Sequence, residues 1–242
     1  MTSPHSNPKS GKNNQKLIDD ADPSLPAVGL KGGRNHAWLR TREALRYVHR
    51  HHSDDADWFL QADDDTYVIV ENLRHMLLDR DPLEPVVFGC RFEKVVEPGS
   101  VSTGSGYLLS REALKRLVEK ALPSHTSCPV CCSEGGDDVA FVQCLRAVGV
   151  EIEESRDPSG RWRMFPFVPE HHLLPDAEEV WSWFRSATSF PYAEGLECCS
   201  DAAVSIHYVS PELMYILEYF IYHLRPYGVA PVSRSDEGEV RC

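Results

Sequence analysis

Short apolar runs alternate along this chain with stretches that carry apolar residues on one helical face, and this alternation constrains the fold more than any other feature. From Asn35 to His52, Trp38, Leu45 and Val48 share a helical face, with Asn35 placed as a cap. Trp58-Phe59-Leu60 then predicts a strand that stops at Asp63-Asp64-Asp65. A second amphipathic stretch, Val70, Leu73, Met76 and Leu77, leads to a strand at Val86-Val87-Phe88, bounded by Pro85 and Gly89. Gly104-Ser105-Gly106 precedes the apolar Tyr107-Leu108-Leu109, after which Ser110 caps a helix with Leu114, Leu117, Val118 and Ala121 inward. Asp137-Asp138 opens another helix, faced by Ala140, Phe141, Cys144, Leu145 and Val148, and a strand follows around Val150 to Ile152. The order is βαβ-like and predicts an α/β sheet with helices on its faces. Ligands in such sheets sit beyond the carboxyl ends of the strands.

A chain of 242 residues removes roughly 70% of its unfolded surface from water on folding, so its eight cysteines are not needed to hold a core together. Cys90, Cys128, Cys131, Cys132, Cys144, Cys198, Cys199 and Cys242 are even in number and cluster in loops with Pro, Ser and Gly, which suits an oxidising lumen. Their pairing stays open, as do zinc held by Cys128 and Cys131 with Cys198 or Cys199, and a set of free thiols. The charge is −12, with no long basic stretch, which argues against nucleic acid as a partner. No apolar run reaches the roughly 20 residues of a membrane span. Met214 to Leu224 is short and interrupted by Glu218 and His223, and Met1 to Lys16 lacks the apolar stretch of a signal peptide. Residues 1–24 are expected to be a disordered or truncated start, 25–228 one folded body, and 229–242 a disordered tail. Leu213 to Leu224, apolar nearly all round, is expected to be a buried C-terminal helix.

Three carboxylates at the end of an apolar strand are the strongest chemical signal. In an extended chain Asp63 and Asp65 point the same way and Asp64 the other, so the first and third can converge on one ligand. Oxygen donors suit Mg²⁺ or Mn²⁺, which stabilise a departing diphosphate. The bland reading is an acidic turn that caps the next helix. An EF-hand starting at Asp63 fails, because Val68 and Arg74 stand where it needs Gly and Glu. An Asp nucleophile of the phosphatase kind has no evident partner motif. Of Asp137 and Asp138, one is expected to cap its helix, leaving the other for general-base work in a cleft. His207, in the strand-like Val204-Ser205-Ile206-His207-Tyr208-Val209, reads as a hydrogen-bonded core histidine or as an imidazole completing a coordination shell. His171-His172 reads as a loop anchor, and Trp181 and Trp183 as core packing or as flat faces for a sugar ring.

Taken together, WFLQADDDTYVIVENLR, STGSGYLLSREALKR, FPFVPEHHL, CCSDAAVSIHYV and MYILEYFIYHLRPYG resemble the core 1 β1,3-galactosyltransferases, which are fringe-like GT-A glycosyltransferases. The resemblance covers residues 25–228 in order. It implies a Rossmann-like mixed sheet flanked by helices and a membrane-anchored enzyme of the Golgi or ER lumen. Such an enzyme moves galactose from UDP-galactose to the 3-hydroxyl of GalNAc on glycoprotein Ser or Thr, with Mn²⁺ and with inversion. It implies Asp65, Asp63 and His207 as metal ligands, Asp138 as general base, and Asp63, Asp64, Gly104, Gly106 and Tyr107 along the donor cleft. Trp181 and Trp183, reminiscent of the family's aromatic segment, are expected on the acceptor side. A homodimer and a chaperone-like relative are the further partners it suggests, and a catalytically silent folding partner is the alternative function. Residues 5–24 do not resemble the strand and helix the family has there, so the N-terminal part is expected to be truncated and to lack the anchor.

Overall fold

The computed structural model describes residues 37–92, 99–129, 136–174, 188, 193 and 195–228. Asn35, Cys131, Cys132, Trp181, Trp183, Cys242 and the two expected tails lie outside the described residues. Helix α1 is Ala37–His52, followed by strands β1 (Trp58–Gln61) and β2 (Tyr67–Val68) and helix α2 (Val70–Met76). Next come β3 (Val86–Phe92), β4 (Ser100–Ser110) and α3 (Arg111–Arg116), which continues into a π-helical turn at Leu117–Ala121. Helix α4 (Gly136–Ala147), β5 (Glu151–Glu153), β6 (Met164–Phe165), α5 (Pro169–Leu173), β7 (Ser205–Ile206) and α6 (Pro211–Glu218) complete the order. Four strands hydrogen-bond in the order β1-β4-β3-β5, and three in the order β2-β7-β6. The expected α/β class is what forms: mixed sheets with helices between the strands.

The chain divides into two compact units. The first gathers Met1–Phe59, Asp81–Val87 and Leu109–Glu151. Here α1 packs on α4, with Trp38 edge-on to Phe141 at 6.3 Å between ring centroids. The same helix buries Arg42, whose guanidinium donates to Leu122 O at 2.7 Å and Pro129 O at 3.3 Å. A buried cation is tolerable only with such acceptors around it, and burial, then Arg46, holds its pKa below the ordinary arginine value. Ser110 caps α3 as expected: its hydroxyl accepts from Ala113 N at 3.0 Å and donates to Glu84 O at 2.6 Å. Cys128 and Cys144 form a disulfide.

The second unit gathers Leu60–Arg80, Phe88–Leu108 and Ile152–Cys242. It contains the whole β2-β7-β6 sheet: Tyr67 pairs with Ile206 and Val68 with Ser205 antiparallel, while Met164 and Phe165 run parallel to Ser205 and Ile206. Cys198 and Cys199 are joined to each other. With Cys128 also paired, the zinc reading loses Cys128, Cys198 and Cys199 to disulfides, and Cys90 is buried.

Two elements differ from the sequence reading. Strand β4 begins at Ser100, well before the apolar Tyr107-Leu108-Leu109, and so takes in Gly104-Ser105-Gly106; Gly106 has φ +82° and passes so close to Gln61 that a Cβ there would stand 3.1 Å from Gln61 O. The C-terminal helix forms but is not buried. No residue of α6 or of the π-helical turn Tyr219–His223 is buried, and Tyr215 is 80% exposed. Its apolar composition arises from Tyr, Phe and Ile that reach solvent, while the polar tips of Tyr67 and Tyr222 bond Glu218 and Glu71. No described helix is long and apolar enough to cross a membrane.

Candidate functional site

Asp63, Asp65 and His207 come together in the second unit, with one ligand atom from each lying within 4.8 Å of the others. The local chain explains how. After β1 the backbone does not stay extended: Thr66 N donates to Asp63 O at 3.0 Å, closing a turn that brings Asp63 and Asp65 round to one side. Thr66 Oγ1 then donates to Gly104 O at 2.7 Å, which fixes this turn against β4. The two carboxylates thus converge through a tight turn and not through strand alternation.

His207 arrives from the end of β7. Its N–H donates to Phe165 O at 3.0 Å, and two residues on Val209 N donates to Asp65 O at 2.9 Å, so the segment is tied to β6 on one side and to the acid turn on the other. Ser205 Oγ donates to Ser105 O at 2.6 Å in a fully buried bond, fixing β7 against β4. The imidazole Nε2 stands 3.3 Å from Asp65 Oδ1. It lies directly over Gly104, where a Cβ would be 2.1 Å from His207 Cε1, so only glycine leaves the ring its place.

Asp63 accepts from Gln61 Nε2 at 3.0 Å. Partial desolvation raises its carboxyl above the ordinary range, opposed by that hydrogen bond and by His207. Two carboxylates and an imidazole are the donor set of a hard or borderline divalent cation. Asp64 is exposed and is not part of the convergent set. Tyr107 is wholly buried, and burial together with the Asp63 charge drives its phenol pKa up. Asp137 and Asp138 stand half-buried in the first turn of α4, in the first unit. Trp181 and Trp183 fall outside the described residues.

Residue types alone did not single out Tyr208. It is the one described non-glycine residue with positive φ, at 59°, and its ring stacks on His207 with centroids 4.0 Å apart. No periodicity encodes such a backbone angle. A cavity of about 1200 Å³ elsewhere in the second unit is lined by Arg80, Arg156, Arg163 and Asp157 among others. None of the three convergent residues lines it, and Arg156 is paired to Glu154 and Asp157 to Arg161.

No family model matches the chain. It is 44% identical over 213 residues to glycoprotein-N-acetylgalactosamine 3-beta-galactosyltransferase 1 of Xenopus laevis, across 86% of this chain and 57% of that protein. It is 29% identical over 143 residues to a beta-1,3-glucosyltransferase of Mus musculus, across 57% of this chain and 28% of that one. Chondroitin sulfate synthase 3 of Homo sapiens is 28% identical over 139 residues, across 52% of this chain and 15% of that protein. The chain therefore spans little more than half the length of the first of these relatives and much less of the others. Mixed sheets flanked by helices, with an Asp-Asp-His set beyond a strand end, have the GT-A-like glycosyltransferase architecture. The 44% identity over 86% of the chain supports the resemblance to the core 1 β1,3-galactosyltransferases.

Proposed function

We propose that this chain carries an inverting galactosyltransferase site that moves galactose from UDP-galactose to the 3-hydroxyl of GalNAc on glycoprotein Ser or Thr, with Mn²⁺ as cofactor. The observation that carries the reading is the convergence of Asp63, Asp65 and His207 within 4.8 Å in a chain that resembles this family. Asp65 and His207 hold the cation, and Asp63 faces the nucleotide side of it. A divalent ion in that position neutralises charge on the departing diphosphate. Gly104, Gly106 and Tyr107 line the donor cleft together with Asp63 and Asp64. Asp138, at the start of α4, takes the proton from the acceptor hydroxyl. Attack on the anomeric carbon from the face opposite UDP inverts it, so no covalent intermediate on the protein is required. Trp181 and Trp183 offer flat faces for the acceptor sugar. Two disulfides support work in the oxidising lumen of the secretory pathway, of which the Golgi is the expected station.

Transfer to a GalNAc-threonine peptide, followed by NMR of the new linkage, tests this reading. The purified chain should form a β1,3-linked disaccharide with UDP-galactose and Mn²⁺, and lose the activity in chelator. Asp138→Asn should lower kcat by ~100-fold or more while UDP binding stays unchanged. A folded chain that binds UDP and Mn²⁺ but transfers nothing would overturn the activity, and a fully active Asp138→Asn would remove Asp138 from the role of base.

A further inference from the structure

Tyr208 holds a conformation that its side chain alone disfavours. A bulky residue at φ 59° is an outlier, because its Cβ crowds the backbone in the left-handed region. What enforces it is visible on either side: His207 N–H is bonded to Phe165 O in β6, and Val209 N–H to Asp65 O in the acid turn. The chain must swing from one partner to the other within a single residue, and a glycine would make that swing without strain. Strain of this kind persists only where the surroundings over-determine it. What tyrosine supplies and glycine does not is the ring.

That ring stacks on the His207 imidazole, with centroids 4.0 Å apart and planes 26° apart. Its plane also runs nearly parallel to Phe167, at 11° and 6.1 Å. Phe167 in turn lies 6.1 Å from the buried His172, whose ring is 4.9 Å from Phe165 of β6. The exposed edge of the site is thereby connected, ring by ring, to the packed interior of the second unit. On the imidazole itself Gly104 leaves no spare room beside Cε1, and Tyr208 covers a face. A histidine so confined keeps Nε2 aimed at Asp65 instead of rotating about its side-chain bonds.

The geometry points to Tyr208 as a positioning residue that braces His207, through ring stacking backed by Phe167, in the orientation that completes the Asp63–Asp65–His207 cation site. This rests on the metal reading of those three residues. Tyr208 acts through His207 and takes no part in the bond-making step. Its hydroxyl is dispensable to the brace and its ring is not.

The test measures Mn²⁺ affinity on the full chain by calorimetry, beside thermal unfolding of each variant. Tyr208→Phe should bind Mn²⁺ within about two-fold of the wild type, and Tyr208→Ala should bind ~10- to 100-fold more weakly, the range for groups that orient a metal ligand. Tyr208→Gly should lose as much affinity as Tyr208→Ala while unfolding no earlier than the wild type, since it removes ring and strain together. Phe167→Leu, which leaves residue 208 intact, should weaken binding to a smaller extent. In metal-free protein the ring-current shift on the carbon-bound protons of His207 should disappear in Tyr208→Ala and persist in Tyr208→Phe. Wild-type affinity in Tyr208→Ala or Tyr208→Gly, or a Tyr208→Phe as weak as Tyr208→Ala, overturns the brace alone. A wild type with no Asp65-dependent Mn²⁺ binding overturns the metal reading and the brace with it.

Discussion

At Gly104 the site has no room for one more carbon, since a Cβ would lie 2.1 Å from His207 Cε1. Gly104→Ala should therefore push the imidazole aside and weaken Mn²⁺ binding at least ~10-fold. The thermal midpoint should barely change, because the end of one side chain can move where backbone cannot. Unaltered Mn²⁺ affinity in that variant would contradict the arrangement. His172 makes a different prediction. Burial against Phe165 and Phe167, assisted by neighbouring His171, lowers its pKa to about 3. An unfolded histidine titrates near 6.5, so as pH falls below that value the unfolded chain takes up a proton that the folded chain refuses. The stability His172 contributes is complete above about pH 6.5 and declines by ~1.4 kcal/mol per pH unit down to about 3. Between pH 6.5 and 4.5 the wild type should lose stability more steeply than His172→Leu in urea unfolding, and equal slopes would contradict the assignment. Asp63, Asp65 and His207 were legible in the sequence as residue types suited to a cation. Their convergence was not legible from strand alternation, since a turn at Asp63 brings the carboxylates together.

Among the elements, those with a strong period or a cap were readable and the shortest were not. The faces of α1, α3 and α4 followed from apolar spacing, and Ser110 stands where a cap residue was expected. Strands β2, β6 and β7 are two residues each, too short for any period to register, yet it is their pairing that presents His207. In α6 the composition foretold a helix but not its surroundings: an apolar sequence says that burial is favourable, not that a partner surface lies alongside. Ser110 offers the clearest energetic test at this scale. Its hydroxyl accepts from Ala113 N and donates to Glu84 O, a carbonyl that Val86 N also reaches, so Ser110→Ala removes the helix cap together with one of the two bonds to that carbonyl. The expected cost is ~1–2 kcal/mol, read as a lower urea midpoint with an unchanged slope. A variant as stable as the wild type would contradict the cap.

Across the whole molecule, covalent cross-links and long-range pairing do what local signals do not announce. Cysteine count and loop context pointed to an oxidising compartment, but the Cys128–Cys144 partnership depends on how α4 returns to the segment after the π-helical turn. Closing a loop of sequence separation 16 stabilises a fold by roughly 3 kcal/mol in the chain-entropy account. The Cys128→Ala, Cys144→Ala pair should therefore unfold at distinctly lower urea; unchanged stability would contradict the bond. The acid turn and His207 lie far apart in sequence, and residue-level reading left a capping turn and a core histidine as open alternatives. Only the ordered set of family motifs joined them in advance, and the β2-β7 pairing provides the physical means. The account as a whole depends on that site holding a cation for a nucleotide. Calorimetry of UDP binding with and without Mn²⁺, on the wild type and on Asp65→Ala, tests it most directly. The account predicts binding that requires both Mn²⁺ and Asp65; a well-folded chain that binds no UDP, or binds it equally without either, would contradict it.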